Sequence, residues 1–241
     1  SLHDALPIYR PPLSEEPAFF LEEKYTGEST ASKLARIRKE MEEAGCDAHI
    51  VSTLDDTCWT LNIRGNDIEF FPLVLSYAII KKDSFELYID ERKLDDNLKA
   101  LLKKEGVNLH PYNAIYEDVK QLPAGTTVMV DKAKLNYAIF NNIPASVHVV
   151  NKRNPAILMK ALKNPVEIEN IRKAQIKDSI AHLRFMKWLK ENVGKIRITE
   201  LSASEKLDEF RKEMGNFIRD SFEPISSFGP HSAIVHYCSS P

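Results

Sequence analysis

Cysteine is scarce in this chain of 241 residues, with only Cys46, Cys58 and Cys238. Their odd number and wide spacing exclude a disulfide framework and a Cys-x-x-Cys metal or redox site, and fit free thiols in a reducing compartment. Glycine is scarce too: there are eight, and no two stand two apart. The Gly-x-Gly-x-x-Gly loop of dinucleotide binding is therefore missing. Gly194-Lys195 lacks the upstream glycine of a phosphate loop, and the His-Glu-x-x-His, Gly-x-Ser-x-Gly and EF-hand patterns are missing as well. The longest apolar run, residues 73–80, is interrupted by Ser76 and falls far short of the ~20 residues a membrane span needs. The N-terminus lacks the charged-then-apolar order of a secretion signal. Nor does one sign of charge dominate: 33 Lys and Arg face 35 Asp and Glu, for a net charge of -2. A strongly basic surface drawing nucleic acid or an anionic membrane is thereby excluded.

What is present is ordinary for a folded protein. With 43% hydrophobic and 28% charged residues the chain is neither collagen-like nor low-complexity nor disordered in composition. Its length allows one large or two ordinary domains whose core needs no disulfide or structural metal. Residues 1–8 (SLHDALPI) have neither helical nor strand periodicity and resemble, residue for residue, one reading frame of a sequencing-library adapter. They are set aside as a scar, and the chain is expected to be a piece of a longer protein. The proline-rich, charged residues 9–17 (YRPPLSEEP) read as extended linker.

Ser29 caps a predicted helix whose apolar residues Leu34, Ile37, Met41 and Ala44 keep helical spacing, and Gly45 stands where a left-handed stop belongs. A short strand at 48–51 follows, and then Asp55 and Asp56 open a helical turn through Trp59 and Leu61. Residues 73–80 and 85–89 read as a hairpin. Beyond it come a helix over 94–104, strands at 108–110, 126–130 and 146–150, and helices at 115–122 and 134–140. That alternation predicts an α/β sheet covered by helices, and the hairpin makes the sheet mixed. After Asn154 the pattern changes. Pro165, behind Asn164 as cap, begins a helix to about residue 192. Thr199 begins another that ends near Gly215. Residues 222–226 and 233–237 read as two strands around a Gly229-Pro230 turn. No period of about 20 to 50 residues repeats, which speaks against a solenoid.

Little chemistry is visible in isolated residues. The neighbouring carboxylates Asp55-Asp56, Asp95-Asp96 and Glu42-Glu43 would point about 100° apart on a helix and are not expected to converge on one atom. Of seven histidines, only His231 and His236 lie close together in sequence. His236, in the apolar run AIVHY beside the Gly-Pro turn, reads either as a hydrogen-bonded core residue or as a neutral proton carrier or substrate ligand in a cleft.

Three stretches add a resemblance. Residues 54–80 (LDDTCWTLNIRGNDIEFFPLVLSYAII), 162–174 (LKNPVEIENIRKA) and 222–237 (FEPISSFGPHSAIVHY) resemble, in order and spacing, landmarks of the aminopeptidase P branch of the creatinase and methionine-aminopeptidase-like superfamily. The pattern Asp-Asp-x-x-Trp-x-Leu-Asn-x-Arg-Gly-x-Asp is similar to that of the longer, three-domain Xaa-Pro aminopeptidases. Residues 22–27 (EEKYTG) resemble the passage into their middle domain.

The resemblance implies a creatinase N-terminal-like α/β domain with a mixed sheet over 25–160. It also implies the truncated start of a pita-bread α+β catalytic domain over 161–241, with 9–24 linking from a missing upstream domain. The implied activity is removal of the N-terminal residue from peptides with proline in second position. Two divalent metals, usually Mn2+, would polarise the scissile carbonyl and turn bridging water into hydroxide. Implied too are proline-containing peptides as partners, a homodimer in the complete enzyme, a cytoplasmic location, and no nucleic acid or membrane partner. His236 falls on the family's substrate-facing histidine, with an implied hydrogen bond to the substrate carbonyl or oxyanion. Phe222 aligns with an aromatic lining the same cleft, ordinary core packing being its other reading. His231 and Ser232 stand where the family has Asn and Gly, so His231 takes no role from it.

The family's metal ligands, two Asp, one His and two Glu, are expected beyond Pro241. The 241 residues alone are therefore expected to bind no metal and to be inactive. Trp59 is expected in the core and Arg64 paired with a carboxylate such as Asp67; the alternative is that this edge shapes the mouth of the peptide cleft. A non-catalytic pita-bread relative that binds peptide or protein is the second functional reading, and an independent α/β binding domain the third. The long helices weigh against the third, because their apolar faces would be left exposed.

Overall fold

Residues 11–240 are described by a computed structural model; residues 1–8 lie outside the described residues, as does the start of the linker. In chain order the elements are β1 (Phe19–Phe20), α1 (Glu23–Thr26), α2 (Thr30–Glu43), β2 (Ala48–Val51), α3 (Leu54–Leu61), β3 (Ile63–Arg64), β4 (Ser76–Lys81) and β5 (Phe85–Ile89). There follow α4 (Asp96–Lys104), β6 (Val107–His110), α5 (Ile115–Asp118), β7 (Thr127–Val130), α6 (Tyr137–Asn141), β8 (His148–Asn151), α7 (Pro155–Ala161), α8 (Pro165–Asn192) and α9 (Glu200–Glu213). They fall into two compact units. One holds residues 11–22 with Glu28–Ile68 and Pro72–Ala161, the other Glu23–Gly27, Glu69–Phe71 and residues 162–240.

The first unit is built on a six-stranded sheet of order β6-β5-β4-β2-β7-β8. β4 pairs antiparallel with β2 and β5, while β2–β7, β7–β8 and β5–β6 are parallel, so the sheet is mixed as predicted. Side chains alternate between its faces because the strand period is two. Ala78, Ile80, Phe85, Leu87 and Met129 join the core on one face, and Ile50, Tyr77, Ile79, Val128 and Val130 the core on the other. With both faces covered, these strands read as near-continuous apolar runs.

Local rules account for the covering helices. Ser29 Oγ accepts from the Ser32 N–H at 3.2 Å, and Leu34, Ile37 and Met41 bury one face of α2, each about 1% exposed. Burying each such side chain contributes roughly 1.5 to 3 kcal/mol. Asp95 Oδ1 caps α4 by accepting from the Leu98 N–H at 2.7 Å. α3 ends on Asn62 in the left-handed region (φ 54). The buried Lys33 ammonium donates to Asn62 Oδ1 at 2.6 Å and to the Trp59 carbonyl at 2.8 Å, lying 4.5 Å from the Trp59 ring centre. The predicted helix at 115–122 divides into α5 and a 3₁₀ turn, Val119–Gln121. That at 134–140 starts later, because Asn136 Oδ1 accepts from the N–H groups of Ala138 and Ile139 and caps α6 there.

In the second unit Asn164 caps α8 reciprocally. Its side chain accepts from the Glu167 N–H at 3.0 Å, and Glu167 accepts from the Asn164 N–H at 3.0 Å, with Pro165 in the first helical position. Gly27 (φ 67) passes so close that a Cβ would meet Asn164 Oδ1 at 2.3 Å and Val166 at 2.7 Å, which only glycine allows. α9 has its own capping pair, Thr199 and Ser202.

The predicted strands at 222–226 and 233–237 do not form. The tail instead carries a 3₁₀ turn, Gly229–Ala233, and His236 adopts φ 56, outside the strand region. A strand needs a neighbour to take up its N–H and C=O groups. Pro224 and Pro230 donate none, and the Phe228 N–H is taken by a side chain.

Candidate functional site

The residues singled out by sequence in the second unit lie on the tail after α9. Arg211, in the last turn of α9, bonds Asp208 at 3.1 Å, Asp178 of α8 at 2.9 Å and Asp220 at 2.7 Å. Lys177 of α8 donates to the Gly215 carbonyl at 3.3 Å and to Asn216 Oδ1 at 3.0 Å. The chain leaving α9 is thus held against α8 by charge-assisted bonds. From there it returns to the start of α9, where Glu200 waits.

Glu200 accepts three donors of the tail. The Phe228 N–H reaches Oε1 at 2.6 Å, the Tyr237 hydroxyl reaches Oε2 at 2.6 Å, and His231 Nδ1 lies 3.0 and 3.1 Å from the two oxygens. The His231 and Tyr237 rings stack with centres 4.6 Å apart. The hydrogen bond from Tyr237, followed by those from Phe228 and His231, holds the Glu200 carboxyl below the usual carboxylate range. In return, the bond to Glu200 pushes the Tyr237 phenol up to about 12.

His236 is adjacent to this clasp, exposed to solvent and left-handed. Phe222 is 72% exposed, which puts it outside any apolar core in this structure. The two make no ring contact with each other. Sequence reasoning missed Glu200 and the role of His231. Glu200 reads locally as an acidic first-turn residue, and its partners stand 28 to 37 residues away.

In the first unit, Trp59 is buried as expected, 6% exposed. The partner of Asp67 differs from the expected Arg64: Asp67 Oδ2 accepts from Lys93 Nζ at 2.5 Å and from the Leu75 N–H at 2.7 Å. Arg64 donates to the carbonyls of Cys58 and Ile63 at 3.0 and 2.8 Å. Lys93 wins because its side chain is, like that of Asp67, about 1% exposed, and a buried charge needs a buried counter-charge. Asp67 Oδ1 is left without a hydrogen bond. His49 is fully buried between the Met129 carbonyl, 3.0 Å from Nδ1, and Asn154 Oδ1, 3.2 Å from Nε2, and burial pushes its pKa down. It belongs to the core.

No group of three His, Cys, Asp or Glu side chains among the described residues stands where it would hold a metal ion, so the residues present do not fit a two-metal centre. Among the described residues, no helix is long and apolar enough to cross a membrane.

Comparison with known proteins bears on both units. Residues 9–167 match the Creatinase/Prolidase N-terminal domain, and residues 169–241 match Metallopeptidase family M24. The chain is 39% identical over 239 residues to a probable Xaa-Pro aminopeptidase P of Neurospora crassa, covering 95% of this chain and 35% of that protein. It is 37% identical over 224 residues to Xaa-Pro aminopeptidase 1 of Dictyostelium discoideum, covering 91% of this chain and 35% of the relative. Among solved structures, the X-prolyl aminopeptidase of Caenorhabditis elegans, described as a cytosolic enzyme with a di-nuclear active site, superposes with a TM-score of 0.88 at 31% identity. That match covers 99% of this chain and 40% of the other. The chain therefore spans only about a third to two fifths of these proteins' length.

Proposed function

Since the chain belongs to the Creatinase/Prolidase N-terminal domain family and runs on into a match to Metallopeptidase family M24, we propose that it is part of an Xaa-Pro aminopeptidase. Such an enzyme removes the N-terminal residue from peptides with proline in second position. The observation that carries this reading is the structural match to the nematode X-prolyl aminopeptidase along nearly the whole chain, at an identity above 30%.

In this reading residues 25–160 are the creatinase N-terminal-like domain and residues 161–241 open the peptidase domain. His236 donates a hydrogen bond to the scissile carbonyl, whose oxygen gains negative charge as the peptide bond is attacked. Phe222 lines the same cleft, its exposed ring offering an apolar wall to the substrate. The complete enzyme uses two divalent metals, with Mn2+ the candidate, acts as a homodimer and resides in the cytoplasm. The 241 residues alone, which span 35% of the fungal relative, do not cleave peptide.

The test is an assay of the full-length protein with Mn2+ on short Xaa-Pro peptides, beside the 241-residue chain and His236→Ala. Wild type is expected to release the first residue, and the short chain to release none. Removing a donor aimed at a developing oxyanion is expected to lower kcat by about 10²- to 10³-fold. A full-length protein that binds such peptides without cleaving them, or a fully active His236→Ala variant, sinks the respective assignment.

A further inference from the structure

The left-handed backbone at His236 asks what holds it there. For a residue with a Cβ that conformation is uncommon, and it persists where the surroundings over-determine it. The chain is tied on both sides of His236. Before it, the Ile234 N–H donates to the His231 carbonyl at 3.0 Å, closing the 3₁₀ turn. His231 in turn reaches Glu200 through Nδ1. After it, Tyr237 bonds the same carboxylate at 2.6 Å, and Ser239 Oγ donates to the Ser226 carbonyl at 2.7 Å.

A carboxylate has about four acceptor positions, and three tail donors share those of Glu200. Its location favours this use. Thr199 and Ser202 satisfy each other at the start of α9, which leaves the Glu200 side chain to the tail. The side chain is 17% exposed, so its bonds are partly shielded from water. Stacking of His231 on Tyr237 adds a contact between the two ring donors that does not pass through Glu200.

We infer that Glu200 is a positioning residue: by clasping Phe228, His231 and Tyr237 it sets the place of the His236 imidazole in the peptide site. This rests on the aminopeptidase reading above for its consequence, but not for the clasp itself. Glutamine at position 200 keeps the length of the side chain but has one acceptor oxygen in place of two, and its amide N–H groups face donors.

The experiment has two arms. In the 241-residue chain, Glu200→Gln is expected to shift the NMR ring resonances of His231 and His236, while His49 and His110 in the first unit stay in place. The Tyr237 phenol, held up to about 12, should fall back toward 10. Unmoved His236 resonances overturn the proposal. In the full-length protein the same variant is expected to lower kcat on an Xaa-Pro peptide by about 10- to 100-fold with far less change in KM, as for a group displaced by about an ångström. Wild-type kcat in that variant overturns it too. If Glu200→Gln does not fold, Tyr237→Phe, which removes one hydroxyl and no charge, carries the imidazole resonances of the first arm and the kcat of the second, each with a smaller change. A wild-type full-length protein without peptidase activity refutes the aminopeptidase reading instead, and the resonances of the first arm then decide the clasp.

Discussion

Glu86 shows how a single carboxylate on the central sheet is settled by its neighbours. Its side chain is 9% exposed, and it accepts from Ser84 Oγ at 2.6 Å and from His110 Nε2 at 2.7 Å, with Lys81 Nζ at 3.4 Å. Burial opposes its charge, yet these bonds outweigh burial and hold the carboxyl down to about 2, from an ordinary 4.5. A carboxyl depressed in the folded state adds stability above its unfolded value and loses it as pH falls through the folded value. The stability advantage of wild type over Glu86→Gln should therefore be full at neutral pH and close between pH 4.5 and about 2. Urea unfolding at a series of pH values checks this; a gap that stays constant over that window refutes it. Of these partners Ser84 stands only two residues before Glu86, whereas Lys81 and His110 reach it once β4, β5 and β6 are paired, and so were not visible in sequence.

At the scale of the element, start signals were legible and tertiary partners were not. Ser29, Asn164 and Thr199 all accept from a backbone N–H three residues on, as does Asp95, which the expected start at 94 had placed inside α4. Such capping is local chemistry that any helix start exposes. Asn164 does more than cap, since its Nδ2 donates to the Thr26 carbonyl at 2.7 Å. Asn164→Ala is expected to cost about 1 to 2 kcal/mol and to speed amide exchange in the first turn of α8. Unchanged exchange there would show that Pro165 and Glu167 suffice. The tail strands failed for the opposite reason. Alternation in residues 222–226 and 233–237 is only a capacity for pairing, and whether it is used depends on an edge to pair with. β1 and β3, two residues each, were too short to leave a period at all.

For the whole molecule, the long helices of the second unit present apolar side chains to solvent. On α8, Ile171, Ile176, Leu183 and Met186 are 51 to 66% exposed. A hydrophobic dye is expected to bind the 241-residue chain and to bind much less after Ile176→Lys with Leu183→Lys; a dye-silent wild type contradicts this. The first unit buries its apolar residues on both faces of its sheet, which follows from composition and period alone. The sequence by itself determined the scarcity of cysteine and glycine, which leaves no disulfide framework and no Gly-x-Gly-x-x-Gly pattern in these residues. It also determined the alternation that builds the mixed sheet, the helix caps, and the family resemblance. These depend on residues near one another in the chain or on chemistry that needs no neighbour. Tertiary structure decided that Lys93 meets Asp67, that His49 is core, and that Glu200 gathers three donors from up to 37 residues away. Each of those depends on which distant groups are brought within about 3 Å, and hydrogen bonds and buried charges are won or lost over that distance.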